Sequence, residues 1–330
     1  MDFSDLAHLA SGHIESRAIQ VAVNLEIFDA LKDRPQDAAT IAAAIETDPR
    51  ATEILLNALV ALALLEKQNG FFSLNETSST YLVQSSPKYF GAMILFDASL
   101  WAAWGELATA VRSGKPARRA DMYQGNFQET ERFIHAMHSL VQARGDAEIL
   151  AERLDLSDVA ELLDIGSGPA TYPIYLLSEH PKLHATIFDL PGTMRVTESF
   201  VRASGFADRI RLITRDYRAD PIPGTYQTIL LSNIIHSESA DQNARLMTKL
   251  YRCLDRGGKI VIKDHILDES LAHPAVGAVF SLIMLLTTER GRCYSFSEVK
   301  GWLEKAGCTG IRRIPLPPPL TSSLVIGEKE

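Results

Sequence analysis

Five residues near the middle of the chain carry most of its chemical potential: Asp164, Gly166, Gly168, Asp189 and Asp216. His236 follows them. In ELLDIGSGPATY, residues 161–172, the apolar Leu162, Leu163 and Ile165 flank Asp164 and lead into Gly166-Ser167-Gly168. Pro169 follows, where the first turn of a helix tolerates a missing N–H. A strand, a Gly-x-Gly turn and a helix aim backbone N–H groups and the positive end of the helix at a nucleotide. The dinucleotide fingerprint asks for a third glycine at 171, where this chain has Thr171.

The acids say which nucleotide. Asp189 closes the next strand in TIFDLPG, where a carboxylate accepts both hydroxyl hydrogens of a ribose, a feature that suits NAD and S-adenosylmethionine alike. Asp164 separates the two. Two residues before the first glycine, it would oppose a pyrophosphate and attract a ligand carrying an ammonium and a sulfonium. Asp216, in LITRDY, is placed to accept from an adenine amino group, with Tyr217 as an apolar wall. Singly, each acid has a plainer role: Asp164 as a helix cap, Asp189 and Asp216 as solvated loop acids. Three at successive strand ends favour a site.

The elements that must hold these residues alternate. Strands are expected at Ala160 to Asp164, Ala185 to Asp189, Ile210 to Thr214, Thr228 to Ser232 and Lys259 to Asp264, with a helix after the first, second and fourth, and a last strand at Ser323 to Gly327 after the stiff PLPPPL connector. That order is a doubly wound α/β sheet with ligands at the C-terminal ends of its strands. Ahead of it, helical patterns at 13–31 and on either side of Asp48-Pro49, followed by NGFFSLNETSSTYL, describe a winged helix. Residues 91–112 read as one helix bearing Met93, Phe96, Trp101 and Trp104. The expected division is 1–112 for the front domain, 113–158 for linking helices and 159–330 for the α/β domain.

Charge argues against nucleic acid. Met1 to Ala110 holds six Lys/Arg against fourteen Asp/Glu, while the rest of the chain is neutral. The would-be recognition helix, Arg50 to Leu65, is otherwise nearly apolar, so packing is the expected role and phosphates are repelled. The 330 residues, 46% hydrophobic and 22% charged, describe a soluble globular protein. The apolar run AVGAVFSLIMLL, residues 275–286, falls short of the ~18 residues of a membrane span and reads as a buried helix. No export signal is visible, and Cys253, Cys293 and Cys308 are too few and scattered for a disulfide framework or a metal site, so a cytoplasmic, metal-free protein is expected.

Asp164-x-Gly166-x-Gly168, FDLPG, RDY, LLSNIIHSESADQNARLMTKLYRCLDRGGKIVIKDHIL and YSFSEVKGWLEKAGC, behind an acidic winged helix, resemble the S-adenosylmethionine-dependent O-methyltransferases of the caffeate, acetylserotonin and bacterial polyketide or bacteriochlorophyll type. The resemblance implies a Rossmann-like class I methyltransferase sheet, a homodimer through the front domain, and an aromatic or polycyclic hydroxyl substrate between the domains. It places Ser167, Leu190, Ser232 and Asn233 beside the cofactor with the acids, Met137 near its methionine portion and Arg144 at its carboxylate. It also makes His236 the base that removes the hydroxyl proton. A phenol of pKa ~10 is barely ionised at pH 7, and a positioned base recovers ~10²–10⁴ in rate.

This chain departs from the pattern in three places. His236-Ser237-Glu238 stands where His-Asp-Trp is usual. Asp264, the acid expected to support His236, is shorter than the usual Glu. The second acid is displaced, with Glu289 as the candidate. Some relatives of this type bind the cofactor without methylating, which keeps a hydroxylase-like or decarboxylase-like reading open. Met93, Phe96, Trp101, Trp104, Met284 and Tyr294 supply apolar surface for a flat ring.

Overall fold

A computed structural model describes residues 1–330, whose contacts divide into two units. One comprises Met1–Trp101 with His135–Ala143, the other Ala102–Ile134 with Arg144–Glu330. No helix is long and apolar enough to cross a membrane.

The first unit is helical with a small sheet. Helix α1 (Phe3–Asn24) begins ten residues before the apolar pattern, because Asp2 and Asp5 form a capping box. It ends before residue 31: Glu26 takes φ +57° and starts the short α2 (Ile27–Ala30). Strand β1 (Gln36–Asp37) leads into α3 (Ala38–Ala44). The carboxylate of Asp48 accepts from Ala51 N at 2.8 Å, and with Pro49 in the first turn it launches α4 (Pro49–Ala61). Strands β2 (Leu65–Gln68) and β3 (Phe71–Leu74) form a hairpin across Asn69-Gly70, both at positive φ as a two-residue turn requires; β1 pairs on the other side of β3. This is the wing. Helices α5 (Glu76–Tyr81) and α6 (Gly91–Ser99) complete the unit around Phe28, Ile41, Leu56, Leu59 and Phe72.

The pattern over 91–112 does not make one helix. α6 stops at Ser99, α7 (Trp101–Gly105) is a single turn ending on glycine, and α8 (Leu107–Ser113) starts anew. Glycine is the weakest ordinary helix former, so a break at Gly105 is where propensity would put it. α9 (Phe127–Arg144) ends at Gly145, held at φ +69°, and α10 (Asp146–Arg153) leads to the sheet.

Five parallel strands form the body of that sheet: β4 (Glu161–Ile165), β5 (His184–Asp189), β6 (Ile210–Thr214), β7 (Tyr226–Ser232) and β8 (Leu254–Asp264). Between them run α11 (Thr171–Glu179), α12 (Pro191–Ser204) and α13 (Ala240–Arg252). β9 (Ile266–Leu267), α14 (Ala275–Thr287), β10 (Tyr294–Ser295) and α15 (Phe296–Ala306) follow, and β11 (Thr309–Pro315) and β12 (Ser323–Glu328) add an antiparallel edge.

The strand order, β11-β12-β8-β7-β4-β5-β6, reverses between β4 and β7. Their C-terminal ends are therefore the crevice where an α/β sheet takes its ligand. Leu163, Ile165, Ile229, Leu231, Ile260 and Ile262 fill the core on both sides of that reversal. β11 has no counterpart in the pattern read from the sequence. α14, expected to be buried, leaves Val276 and Val279 exposed, so only one face of the apolar run is covered.

Candidate active site

At the end of β4 the chain turns sharply. Gly166 and Gly168 sit at φ +66° and +59°, and a Cβ on Gly166 would stand 2.3 Å from Ile234 Cδ1. Only glycine fits there. Gly166 N donates to Phe188 O at 2.9 Å, Gly168 N donates to Asp189 Oδ2 at 2.8 Å, and Leu190 N donates to Asp189 Oδ1 at 2.7 Å. One carboxylate thus ties the glycine turn to the end of β5. The third left-handed residue is Ala170, at φ +60°, one position earlier than the 171 expected from the fingerprint.

Asp164 differs from Asp189. It is 1% exposed, and neither of its carboxylate oxygens has a well-formed hydrogen bond. Burial, with the charge of Asp189 adding to it, pushes its carboxyl up to about 7; the Ser167 hydroxyl, outside hydrogen-bond geometry, works the other way. Burial also lifts Asp189 to about 6 against its two backbone donors. The hydroxyls of Ser167 and Ser232 are likewise buried and unpartnered. Buried polar groups are normally satisfied, so these mark a place where another molecule completes the bonding. A ligand with an ammonium and a sulfonium suits it. Its positive charge would meet the orphaned Asp164 carboxyl with Asp189 nearby, whereas a diphosphate would be repelled. S-adenosylmethionine fits these residues.

β7 ends with Ser232 and Asn233. Asn233 adopts φ +58°, a conformation asparagine tolerates better than most residues, and its N–H donates to Lys263 O at 2.8 Å. The chain then makes one 3₁₀ turn over Ile235–Ser237, which presents His236, before Ser239 and Gln242 cap α13 reciprocally. His236 Nδ1 lies 2.8 Å from Asp264 Oδ1, and its backbone N–H points at Asp264 Oδ2 at 3.4 Å. Burial would raise the Asp264 carboxyl, but His236, with His265 adding, outweighs it and holds it below the ordinary carboxylate range. With Nδ1–H donated to Asp264, the other nitrogen, Nε2, is the one able to take a proton. Phe280, on α14, stands edge-on to the imidazole with centroids 4.9 Å apart. Gly291 is a second obligatory glycine, since a Cβ there would stand 2.3 Å from His236 O.

The other residues singled out in the sequence stand in varied surroundings. Asp216 is gripped by Arg218, whose Nε and Nη2 reach both carboxylate oxygens at 2.9–3.1 Å; burial raises its carboxyl but the guanidinium holds it below normal. Its neighbour Tyr217 packs near Gly166 and donates to Glu238 Oε1 at 2.8 Å. Glu289 is exposed and makes no bond to His236; the buried acid after His236 is Glu238. Arg144 grips Asp146. Tyr294 is fully buried, donates to Glu238 O and stacks edge-on against Trp302 at 4.8 Å, so its ring faces core. Met284 is buried on α14 and Trp104 half-buried in the same unit. In the first unit Met93 and Met137 are half-buried, Phe96 is buried, and Trp101 is exposed beneath Arg17.

Phe280, Gly291, Asp146 and Lys263 went unread in the sequence. Only Lys263 left a signal there: a lysine inside the apolar strand KIVIKDHIL demands an anionic partner.

Residues 7–84 match the O-methyltransferase dimerisation domain, and residues 104–309 match the O-methyltransferase domain. The chain belongs to this O-methyltransferase family. It is an S-adenosylmethionine-dependent methyltransferase with a Rossmann-like sheet behind a winged-helix dimerisation domain. It is 31% identical to a 3-hydroxy-5-methyl-1-naphthoate 3-O-methyltransferase of Streptomyces sahachiroi, over 98% of this chain and 94% of the other. It is 29% identical to the tetracenomycin polyketide 8-O-methyltransferase TcmO of Streptomyces glaucescens, over 98% and 96%. The crystal structure of human N-acetylserotonin methyltransferase in complex with S-adenosylmethionine superposes with a TM-score of 0.90 at 25% identity, covering 100% of this chain and 98% of that one.

Proposed function

We propose that this enzyme methylates a hydroxyl of an aromatic or polycyclic small molecule, with His236 as the base. The observation that carries the reading is the His236–Asp264 pair, 2.8 Å long and buried at the C-terminal end of β8. The cofactor supplies a methyl group on a sulfonium, which leaves a neutral thioether when the methyl departs. Asp264 fixes the imidazole so that Nε2 accepts the hydroxyl proton as the oxygen becomes nucleophilic, and it stabilises the imidazolium that results. Asp164 and Asp189 hold the cationic and ribose ends of the cofactor, and the glycine turn lets it approach the backbone. Naphthoate and polyketide acceptors of the relatives support a flat, hydroxylated substrate.

Formation of S-adenosylhomocysteine with a panel of phenols, hydroxylated polyketides and tetrapyrroles tests the reading, with His236→Ala in parallel. Turnover that survives unchanged in the variant removes the base role. Ser237-Glu238 in place of the usual Asp-Trp keeps one alternative in view, a protein that binds the cofactor without transferring its methyl. Under that alternative no acceptor yields S-adenosylhomocysteine. The front unit is proposed to pair two copies of the chain: α1 leaves Phe3, Leu6, Leu9 and Ile14 exposed within or beside the dimerisation-domain match. Sedimentation equilibrium at micromolar concentration should find a dimer. DNA binding is disfavoured by the acidic charge of that unit, and a low-salt gel shift showing retarded duplex would reverse that judgement.

A further inference from the structure

Phe280 touches two imidazoles. Its ring centroid lies 4.9 Å from that of His236, edge-on at 77°, and 5.0 Å from that of His265, tilted at 46°. His265 directly follows Asp264, and its backbone N–H donates at 2.7 Å to Asp264 Oδ1, the same oxygen that meets His236 Nδ1. Its side chain takes no part in the proton transfer.

The sheet register explains where that side chain goes. Ser323 on β12 pairs with Asp264, so the residues just before β12 lie beside those just after β8. His265 Nδ1 accordingly stands 3.3 Å from Thr321 O and 3.4 Å from Thr321 Oγ1. A carbonyl only accepts, so Nδ1 carries the proton and the ring is anchored. α14 comes close to this ring because Gly277 has no side chain: a Cβ there would stand 3.3 Å from His265 Cβ and 2.8 Å from Leu267 Cδ2. Phe280, three residues on, lies on the same face of that helix.

His236 needs a second point of support. Asp264 fixes where Nδ1 lies, but the terminal torsion of a histidine is broad, and a tilt about that one bond carries Nε2 sideways. A positioned base works within about 0.5 Å and about 10–20° of its productive geometry. Phe280 limits the tilt from one side. Its own ring is only half-buried, on a helix that leaves Val276 and Val279 exposed, so it needs a backstop, and the His265 ring is in contact with it. Charge supports the same division of roles. Burial lowers the His265 pKa below the ordinary imidazole value, and the charges of His236 and Lys263 add to this against the pull of Asp264 and Thr321. An uncharged His265 leaves the Asp264 carboxylate to His236, where a second imidazolium would compete for it.

We propose that His265 is a positioning residue for methyl transfer: anchored on Thr321, its ring holds Phe280 against the His236 imidazole and so sets the direction of Nε2. The proposal deepens the reading of His236 as the base and rests on it.

The test is magnetic resonance of the full chain with histidine-selective isotope labelling, since nine histidines give a countable set of imidazole signals. In the unmutated chain the protons of both imidazoles should show cross-relaxation to the Phe280 ring; its absence at either overturns the proposal even where a variant fails to fold. His236→Ala identifies the His236 signals by their loss, and Phe280→Leu measures how far the Phe280 ring current displaces them. His265→Asn keeps a donor for Thr321 but has no ring, and it should move the His236 signals most of the way to their Phe280→Leu positions. His265→Phe keeps a ring without the donor and should retain most of the displacement. Combining His265→Asn with Phe280→Leu should add little, as expected of residues that act through one another. The affinity for S-adenosylhomocysteine should stay within about twofold throughout. With a phenol that is turned over, His265→Asn should lose about tenfold or more in kcat at a KM near wild type. His236 signals that ignore His265→Asn, equal losses in His265→Asn and His265→Phe, or shifts spread over all nine histidines overturn the proposal in favour of simple packing. Turnover that survives in His236→Ala removes the base reading itself, so the two failures are distinguishable.

Discussion

Two regions of the same crevice are finished in opposite ways. Around the glycine turn, Asp164, Ser167 and Ser232 are buried with no partner. A few residues along, His236 and Asp264 are buried and joined, and Asp264 takes a further donor from His265 N at 2.7 Å. The contrast divides the labour. Unsatisfied polar groups cost stability and are retained where a ligand will complete them, whereas a satisfied dyad is already aligned before the substrate arrives.

The largest expected effect falls on the satisfied side. His236→Ala should lower kcat by roughly 10²–10⁴ and leave the affinity for S-adenosylhomocysteine within about twofold, measured by turnover and calorimetry on the same preparation. Asp264→Asn keeps the shape but removes the negative charge and puts a donor amide in place of one acceptor oxygen, which weakens the hold on the imidazole tautomer, so a roughly 10–100-fold fall in kcat is expected, again with little change in cofactor affinity. An unchanged kcat in this variant would erase the distinction between the two regions.

Asp164→Asn probes the unsatisfied side and should act in two directions. Cofactor affinity should fall by about tenfold or more, since a charge-assisted contact becomes a neutral one. The cofactor-free protein should become less sensitive to pH. Between the ordinary carboxyl value of 3.8 and about 7 in the fold, the folded chain keeps a proton that the unfolded chain has lost. Stability therefore decreases as pH rises through that window, and Asp164→Asn should flatten the decrease in denaturant midpoints measured from pH 4 to 7.5. The smallest effect is expected at Ala170, whose φ of +60° suits glycine. Ala170→Gly should stabilise by about 1 kcal/mol, seen as a modest rise in Tm, with turnover retained.

How much of this was legible in the sequence follows from the range of the interactions. The strands around Asp164 and Asp189 were readable because apolar runs and glycine turns are local signals, and so was the winged helix with Pro49 at a helix start. Local signals were less reliable at element ends. The aromatic stripe of 91–112 hid two breaks, and the left-handed position fell on Ala170, where no glycine marks it. Pairings between distant residues were not legible at all. Nothing near Asp146 announces that Lys263, more than a hundred residues on, will reach its carboxylate. Even a neighbour's side-chain direction is hidden: Asp216 reads as a free acceptor until Arg218, two residues on, is seen across both its oxygens.

The most direct test of the division is to titrate S-adenosylhomocysteine into His236→Ala and Asp164→Asn side by side. The account predicts near wild-type affinity in the first and a loss of about tenfold or more in the second. Equal losses in both variants, or a loss confined to His236→Ala, would contradict it.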